Sequence, residues 1–365
     1  MINKKVQEFI LGEMFCGPGG IAQGSILSKS QRSIDGLLYS IVPHWATDYD
    51  EDTCKTYSKN IHGTLDSPHV ICSDIRQMNI KELPDCDGFA FGFPCNDFSI
   101  VGESKGLEGS YGPLYKYGIE YLETHQPKWF VAENVSGLSS ANKGDALALI
   151  LEEMNLAGYV LAAHKYKFEE YGVPQARHRI IIVGVRKDIG LEFKIPAPTH
   201  LHKKVSSQEA IEKPAIKQDA ENHEFTRQSK QVIERLKHIK PGDNAWSEDI
   251  PENLRLNVKG ARLSNIYKRL NPALPAYTVT GSGGGGTHMY HWKEHRALTN
   301  RERARLQTFP DNFVFVGKKE SVRKQIGMAV PPLAALVIFD ALLSLFARKD
   351  YAYIHPNIES CVTTS

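Results

Sequence analysis

The chain has 365 residues, of which 41% are apolar and 24% charged. That composition excludes global disorder and supports a sizeable core, in one large domain or two unequal ones. Lys plus Arg number 44 and Asp plus Glu 42, a formal charge of +2, so a uniformly basic coat is excluded and any polyanion site must be a local patch.

Elements alternate along the first half. Phe9 to Phe15 reads as a strand running into a Gly-rich turn, Cys16 to Gly20, and a helix-like stretch follows. Leu37 to Ala46 is a second strand ending at Thr47, Asp48 and Tyr49. His69 to Cys72 is a third, ending at Ser73 and Asp74. Gly88 to Gly92 and Trp129 to Glu133 are the fourth and fifth. Val160 to Phe168 and Ile180 to Val185 leave no room for a helix between them and form a closing hairpin. This order predicts an α/β fold: a doubly wound, mostly parallel, Rossmann-like sheet with an antiparallel edge hairpin. After Arg186 the periodicity fades. A helix is expected over 226–238. No Asp or Glu occurs from Asn253 through Lys293, while Arg255, Lys259, Arg262, Lys268, Arg269 and Lys293 fall inside. A helix from about Thr299 holds Arg301, Arg303 and Arg305, and an apolar helix spans about Pro331 to Phe346. The expected division is 1–188 completed by 318–348, a smaller irregular domain over 189–298, a hinge at 299–317 and a tail at 349–365.

The six cysteines (16, 54, 72, 86, 95, 361) form no CxxC pair, which argues against a zinc ribbon. No metal site is expected, and scattered thiols in a chain this size suit a reducing cytoplasm. The first fifteen residues are interrupted by Glu8 and Glu13 and read as neither signal peptide nor anchor. No stretch is expected to reach the roughly 20 apolar residues of a membrane span.

FCGPGG (15–20) lies where a strand meets a helix. Glycines there permit a tight turn and close backbone approach to a ligand at an electropositive helix end. Asp48 and Asp74 end the next two strands, giving one rim of Gly, acid and acid. The spacing departs from GxGxxG, which favours an adenosine ligand smaller than a dinucleotide. GFPCNDFS (92–99) puts Cys95 on a loop after a strand, with Pro94 stiffening the approach, a suitable place for a nucleophile. Glu133 in AENV (132–135) reaches the same rim, where desolvation can hold a carboxyl protonated. In QARHR (175–179), Arg177 and Arg179 project to one face if the segment is extended, aimed together at a carbonyl or phosphate.

With RALTNRERARLQTFPD (296–311) and QIGMAVPP (325–332) following in order, these blocks resemble the DNA (cytosine-5)-methyltransferase family of bacterial type. The match covers most of 8–187 and 296–345. The resemblance implies that Phe15, Gly17, Gly19, Gly20, Asp48, Tyr49, Asp74, Ile75, Pro94, Leu114, Met328 and Val330 bind S-adenosyl-L-methionine. Within that set Asp48 would take the ribose, Tyr49 the adenine and Asp74 its amino group. Cys95 would be the nucleophile, Glu133 would hold the base, Arg179 would contact cytosine O2, and Arg177 would help position the Cys95 loop. Val101, Arg255, Lys259, Arg262, Thr278 and Val279 would face double-stranded DNA. Glu13, Asn96 and Met328 depart from the family's usual Asp, Gln and Asn.

The chemistry explains the residue types. Cytosine C5 is a poor nucleophile until a thiolate adds at C6 and turns the ring into an enamine. A free thiol with a pKa near about 8.5 is mostly protonated at neutral pH, so Cys95 needs help from its surroundings. Adding at C6 pushes charge onto N3 and O2, where Glu133 and Arg179 would receive it. The base must leave the stack, and the 99–112 loop, with Gly102, Gly106, Gly109 and Gly112, is a candidate lid. The expected protein is a cytoplasmic monomer acting on double-stranded DNA, off the membrane, beside a separately acting restriction endonuclease. The alternatives are a tRNA cytosine-5 methyltransferase and an NAD-dependent oxidoreductase.

Overall fold

The computed structural model describes residues 6–33, 36–93, 114–138, 145–257 and 263–358. The chain opens with β1 (Val6–Met14), α1 (Gly20–Leu27) and the short β2 (Gln31–Arg32), then β3 (Leu38–Asp48), α2 (Glu51–Tyr57), β4 (Val70–Cys72) and β5 (Gly88–Phe91). α3 (Tyr115–His125), β6 (Trp129–Val135), α4 (Asp145–Leu156) and β7 (Tyr159–Lys167) follow. After a two-residue β8 (Gln175–Ala176), β9 (His178–Arg186) closes the hairpin.

These strands form one sheet in the order β2-β3-β1-β5-β6-β9-β7, with β4 beside β3. β1, β3, β4, β5 and β6 pair parallel, while β9 runs antiparallel to both β6 and β7. The parallel strands are buried on both faces, so they read as continuous apolar runs such as GFAF in β5, all four of whose residues are buried. Chain order reverses between β1 and β5, which sets the crevice of a doubly wound sheet at their C-terminal ends. One core cluster gathers Trp45, Phe89, Phe91, Tyr121 and Phe130. On the other face α1 meets the late helix over Pro332–Phe346 so closely that a Cβ on Gly24 would stand 2.5 Å from Ala335 Cβ.

The remaining elements are short: β10 (Ile195–Pro196), α5 (Ser207–Glu212), α6 (Lys230–Lys237), β11 (Ala276–Tyr277), α7 (Asn300–Leu306) and α8 (Lys319–Met328), before α9 (Pro332–Phe346) and β12 (Tyr353–Ile354). The chain divides into two compact units. Unit 1 is Met1–Lys167, His178–Pro198 and Pro332–Ser365; unit 2 is Phe168–Arg177 and Thr199–Pro331.

These limits differ from the sequence-based ones. Residues 318–331 fall in unit 2 because Val322 and Ile326 of α8 pack with Leu306, Phe309, Phe313 and Phe315. Residues 168–177 join the same unit because β8 pairs in parallel with β11, Gln175 opposite Ala276. Unit 1 continues to Pro198 because β10 pairs with β12. The expected tail is therefore docked: Asn357 Oδ1 accepts from Lys165 N at 2.7 Å and its Nδ2 donates to Lys165 O at 3.2 Å. The apolar stretch also exceeds expectation. Lys319–Phe346 is long and apolar enough by length and composition to cross a membrane. It is nevertheless broken into α8 and α9, and 67% of its most apolar window is buried in the fold.

Candidate active site

The Gly-rich turn leaves β1 through three left-handed residues, Phe15 (φ 57°), Gly17 (φ 56°) and Gly19 (φ 97°). The two glycines serve different ends. A Cβ on Gly19 would press to 3.0 Å from the Tyr57 ring, whereas a Cβ on Gly17 would meet nothing within 4 Å. Gly19 is thus fitted to the protein, and Gly17 leaves open backbone where a ligand can approach. The helix starts at once, with Gln23 N donating to Gly19 O at 2.8 Å and Gly20 buried in its first turn.

Asp48 fastens this turn. Its Oδ2 accepts from Gly17 N at 3.0 Å and its Oδ1 from Asp50 N at 3.0 Å. Burial pushes its carboxyl above the usual range while these amides pull it back. The backbone of Tyr49 also hydrogen-bonds to this carboxyl, and the lone pairs of its two oxygens are not exhausted by these three amides. Tyr49, next in sequence, is 60% exposed. Asp74 is committed differently from expectation. Arg76 folds back on it, with Nε 2.9 Å from Oδ1 and Nη2 2.5 Å from Oδ2, and holds its carboxyl down to about 2. Ile75 and Leu114 are buried beside the Met14 and Phe93 side chains in the same core cluster. Met328 and Val330 belong to unit 2, with Met328 59% exposed at the end of α8.

Glu13, one residue before the end of β1, is fully buried. Tyr57 Oη donates to its Oε1 at 2.8 Å, and Oε2 has no hydrogen-bond partner. Burial pushes this carboxyl up to about 8. The sequence marks it only as a departure from Asp; its isolation follows from the sheet closing over it.

Glu133 and Arg179 are brought together by the antiparallel β6–β9 ladder, in which Glu133 lies opposite Ile181 and Val135 opposite Arg179. Arg179 Nε stands 2.8 Å from Glu133 Oε1, with both side chains largely buried. Glu133 therefore has a guanidinium partner rather than the purely desolvating pocket expected from sequence. Its Oε2 lies 3.5 Å from where a Cβ on Gly92 would be, beside the segment that enters Pro94 and Cys95. Asn134, which sequence reasoning passed over, donates from Nδ2 to Phe93 O at 3.1 Å and pins that segment. Its signal was present: it follows Glu133 in a strand and so faces the opposite side. Pro94, Cys95, Val101, the 99–112 lid, Lys259 and Arg262 lie outside the described residues.

The QARHR pair does not act as one cluster. Arg179 serves Glu133, whereas Arg177 is buried in unit 2 and donates from Nη1 to Val279 O at 3.2 Å and Gly327 O at 3.1 Å. The extended stretch assumed for 175–179 breaks at Arg177, between β8 and β9. Its described hydrogen bonds fasten unit 2. Val279 is likewise a core residue, fully buried with its N–H donating to Gln175 Oε1 at 2.9 Å, so its side chain is not a DNA contact in this structure. Thr278 is the less buried member of the pair, half-buried, and donates from Oγ1 to Ala176 O at 2.6 Å. Arg255 turns its guanidinium onto Ile250 O and Glu248 O at 2.9 and 3.3 Å. Among the described residues no group of three His, Cys, Asp or Glu is placed to hold a metal ion, and Cys16, Cys54, Cys72 and Cys86 are free thiols.

A doubly wound sheet with a Gly and acid rim, and a Glu–Arg pair beside Gly92, is the architecture of the Rossmann-like methyltransferases. Solved structures agree on the fold: Entamoeba histolytica methyltransferase EhMeth matches at TM-score 0.59 and 16% identity, covering 93% of this chain and 98% of its own. A Spodoptera frugiperda DNMT2 mutant matches at TM-score 0.60 and 14% identity, covering 92% and 99%. The profile of the C-5 cytosine-specific DNA methylases matches residues 9–344, and the chain belongs to that family. It is 57% identical over 356 residues to the type II methyltransferase M.BbvI of Brevibacillus brevis, covering 95% of this chain and 94% of the relative. It is 42% identical to M.NgoFVII of Neisseria gonorrhoeae, covering 83% and 81%. The chain is a DNA (cytosine-5)-methyltransferase, and the oxidoreductase reading falls.

Proposed function

We propose that this chain methylates C5 of a cytosine flipped out of a specific duplex sequence, with Cys95 as the nucleophile and S-adenosyl-L-methionine as the methyl source. The observation that carries the assignment of roles is the Glu133–Arg179 pair at 2.8 Å, set beside Gly92 and hence beside the approach to Cys95.

The residues present fit the cofactor. Gly17 leaves open space over its backbone, Asp48 keeps acceptor capacity for a ribose hydroxyl, and the exposed Tyr49 would take an adenine face. When bound, S-adenosyl-L-methionine supplies an electrophilic methyl group. Phe15, Gly17, Gly19, Gly20 and Asp48 shape its seat, with Tyr49, Asp74, Ile75 and Leu114 along the same rim. Cys95 adds through its sulfur to C6 of the base, and the ring electrons move toward C5. The charge this places on N3 and O2 is met by Glu133 and Arg179 respectively. Once C5 carries the transferred methyl group, its proton passes to a base such as water, the C5–H electron pair re-forms the C5=C6 double bond, and the C6–S bond breaks to release the Cys95 thiolate.

Unit 2 supplies the duplex contacts, with Thr278 and the acid-free run over 253–293 on that side. The 57% identity to a type II DNA methyltransferase favours DNA over tRNA as substrate and a cytoplasmic restriction-modification setting. A separate endonuclease and a monomeric state complete the reading. The test is a covalent complex with DNA containing 5-fluorocytosine, expected with the intact chain and absent with Cys95→Ala. A complex that persists in Cys95→Ala removes Cys95 from the mechanism. Bisulfite sequencing of DNA from expressing cells then gives the methylated word.

A further inference from the structure

The first helix begins without a cap of its own. α1 starts from Gly19, which has no side chain to receive an orphan N–H, and its first turn carries no acid. The missing acceptor comes from the strand before it. Glu13 of β1, fully buried, takes the N–H of Ala22 onto its carboxyl, and Tyr57 Oη donates to Oε1 of the same carboxyl at 2.8 Å. One carboxyl thus joins β1, the first turn of α1 and the last residue of α2. Opposite Glu13 in the ladder stand Ala46 of β3 and Ala90 of β5, whose side chains offer it no donor. Burial keeps this carboxyl protonated to about pH 8, so at neutral pH the acceptor is an uncharged acid.

Tyr57 carries that connection to the Gly-rich turn. Its ring is fully buried and lies 3.0 Å from where a Cβ on Gly19 would stand. Directly after Tyr57 the helix widens into a π turn over Ser58–His62, and Ile61 of that turn comes to 3.3 Å from the same point. Widened turns of this kind are rare and recur at functional sites. On its other side the turn is fixed by β3, with Cys16 N donating to Thr47 O and Gly17 N to Asp48 Oδ2, each at 3.0 Å. Two walls therefore hold Phe15, Gly17 and Gly19 in their left-handed form: β3 directly, and Glu13 through Tyr57.

We propose that Glu13 and Tyr57 are positioning residues for S-adenosyl-L-methionine, and that the hydrogen bond between them holds the Cys16–Gly20 turn in the shape that receives it. Both side chains are sealed from solvent, so they act from behind the turn. A preformed turn leaves less to be ordered on binding, so loosening it weakens binding and spares the transfer step. The inference rests on the cofactor reading above and adds to it two residues that the sequence comparison with the family left without a role.

The experiment compares the full chain with Tyr57→Phe, Glu13→Leu and Glu13→Gln. Tyr57→Phe keeps the ring against Gly19 and removes only the hydroxyl. Glu13→Leu removes the acceptor, whereas Glu13→Gln keeps an acceptor oxygen and carries no charge. Affinity for S-adenosyl-L-methionine is measured by titration calorimetry. Amide hydrogen exchange over 15–20 is followed in the cofactor-free chain, and single-turnover methyl transfer to DNA is read at saturating cofactor. Affinity should fall about fivefold in Tyr57→Phe, the worth of one hydrogen bond, and further in Glu13→Leu. Exchange over 15–20 should quicken in both, while transfer at saturation stays within about twofold of the parent. Glu13→Gln should keep the parent's affinity and exchange. A lowered melting temperature in Tyr57→Phe with affinity and exchange unchanged overturns the proposal and leaves the pair as part of the core only. A loss in Glu13→Gln as large as that in Glu13→Leu overturns it too, because the amide keeps the acceptor. If Glu13→Leu does not fold, Tyr57→Phe decides alone. The 5-fluorocytosine assay on the parent separates this failure from failure of the reading it rests on. A parent that forms the covalent complex while Tyr57→Phe binds cofactor normally loses only the positioning role. A parent that binds no S-adenosyl-L-methionine loses the cofactor reading and the positioning role with it.

Discussion

The two units solve the same problem with different materials. Unit 1 satisfies its buried backbone through strand ladders, with β1, β5, β6 and β9 at its centre. Unit 2 has few and short regular elements, and it uses buried polar side chains instead. Arg269 alone donates to His291 O, Leu236 O, Ile239 O and Glu294 O at 2.9 to 3.2 Å. Asn222 bridges both backbone groups of Phe315, and Gln175 joins Leu306 O, Gln307 and Val279 N. Every buried carbonyl needs a donor, and where periodic structure does not provide one a guanidinium can serve several at once. Charge in the irregular unit is therefore largely structural, and a basic residue there is a poor guide to a ligand unless it is left unpaired.

The sharpest functional break lies in unit 1. Glu133→Gln keeps the shape of the side chain but removes the titratable carboxyl and its ion pair with Arg179. Turnover should fall on the order of 10²- to 10⁴-fold, with cofactor affinity nearly unchanged. Near-normal turnover in a single-turnover methyl-transfer assay would exclude Glu133 from the chemistry. For unit 2 the comparable break is structural. Arg269→Met strands four carbonyls at once and should destabilise by about 3–5 kcal/mol. The ladder-based contrast is Ile182→Val in β9, at about 1 kcal/mol. If urea melts show equal losses, the guanidinium is not the staple that its geometry describes.

This difference in materials also decides what could be read in advance. The strands of unit 1 were legible because apolar runs such as FIL (9–11) and GFAF (88–91) alternate with turn residues. The rim was legible because Gly17, Asp48, Asp74 and Glu133 each sit where a strand stops. What escaped was pairing that depends on tertiary approach. No local pattern says that Arg76 will turn back onto Asp74, that Arg177 will be drawn into unit 2, or that Val279 will be fully buried while Thr278 is half-buried. The guanidinium staples are likewise invisible to periodicity, because each joins residues far apart in the chain.

A smaller effect should expose the buried carboxyl of Glu13 in β1. Folded Glu13 holds its proton to about pH 8, whereas the unfolded chain loses it near 4.5. Between those values the folded state binds the extra proton, so stability falls as pH rises through that window. The slope from this group is at most about 1.4 kcal/mol per pH unit, and it vanishes above the window. Glu13→Gln should flatten the curve and gain most, relative to the parent, near pH 8. Parallel melting-temperature curves for parent and variant across pH 5 to 8 would show that Glu13 is not buried as described.

The smallest expected effect tests whether unit 2 gains anything from local structure at all. α7 begins in a capping box: Thr299 Oγ1 accepts from Glu302 N at 3.1 Å, and Glu302 Oε2 accepts from Thr299 N at 2.8 Å. Thr299→Ala removes the first bond and leaves the second, so the loss should be about 1 kcal/mol. Glu302 also anchors Arg296 through both oxygens, at 2.8 and 2.7 Å. Glu302→Gln weakens that clasp while keeping the cap, and it should therefore cost more than Thr299→Ala. The reverse order in denaturant melts would mean that helix propensity, rather than long-range pairing, holds this part of unit 2 together.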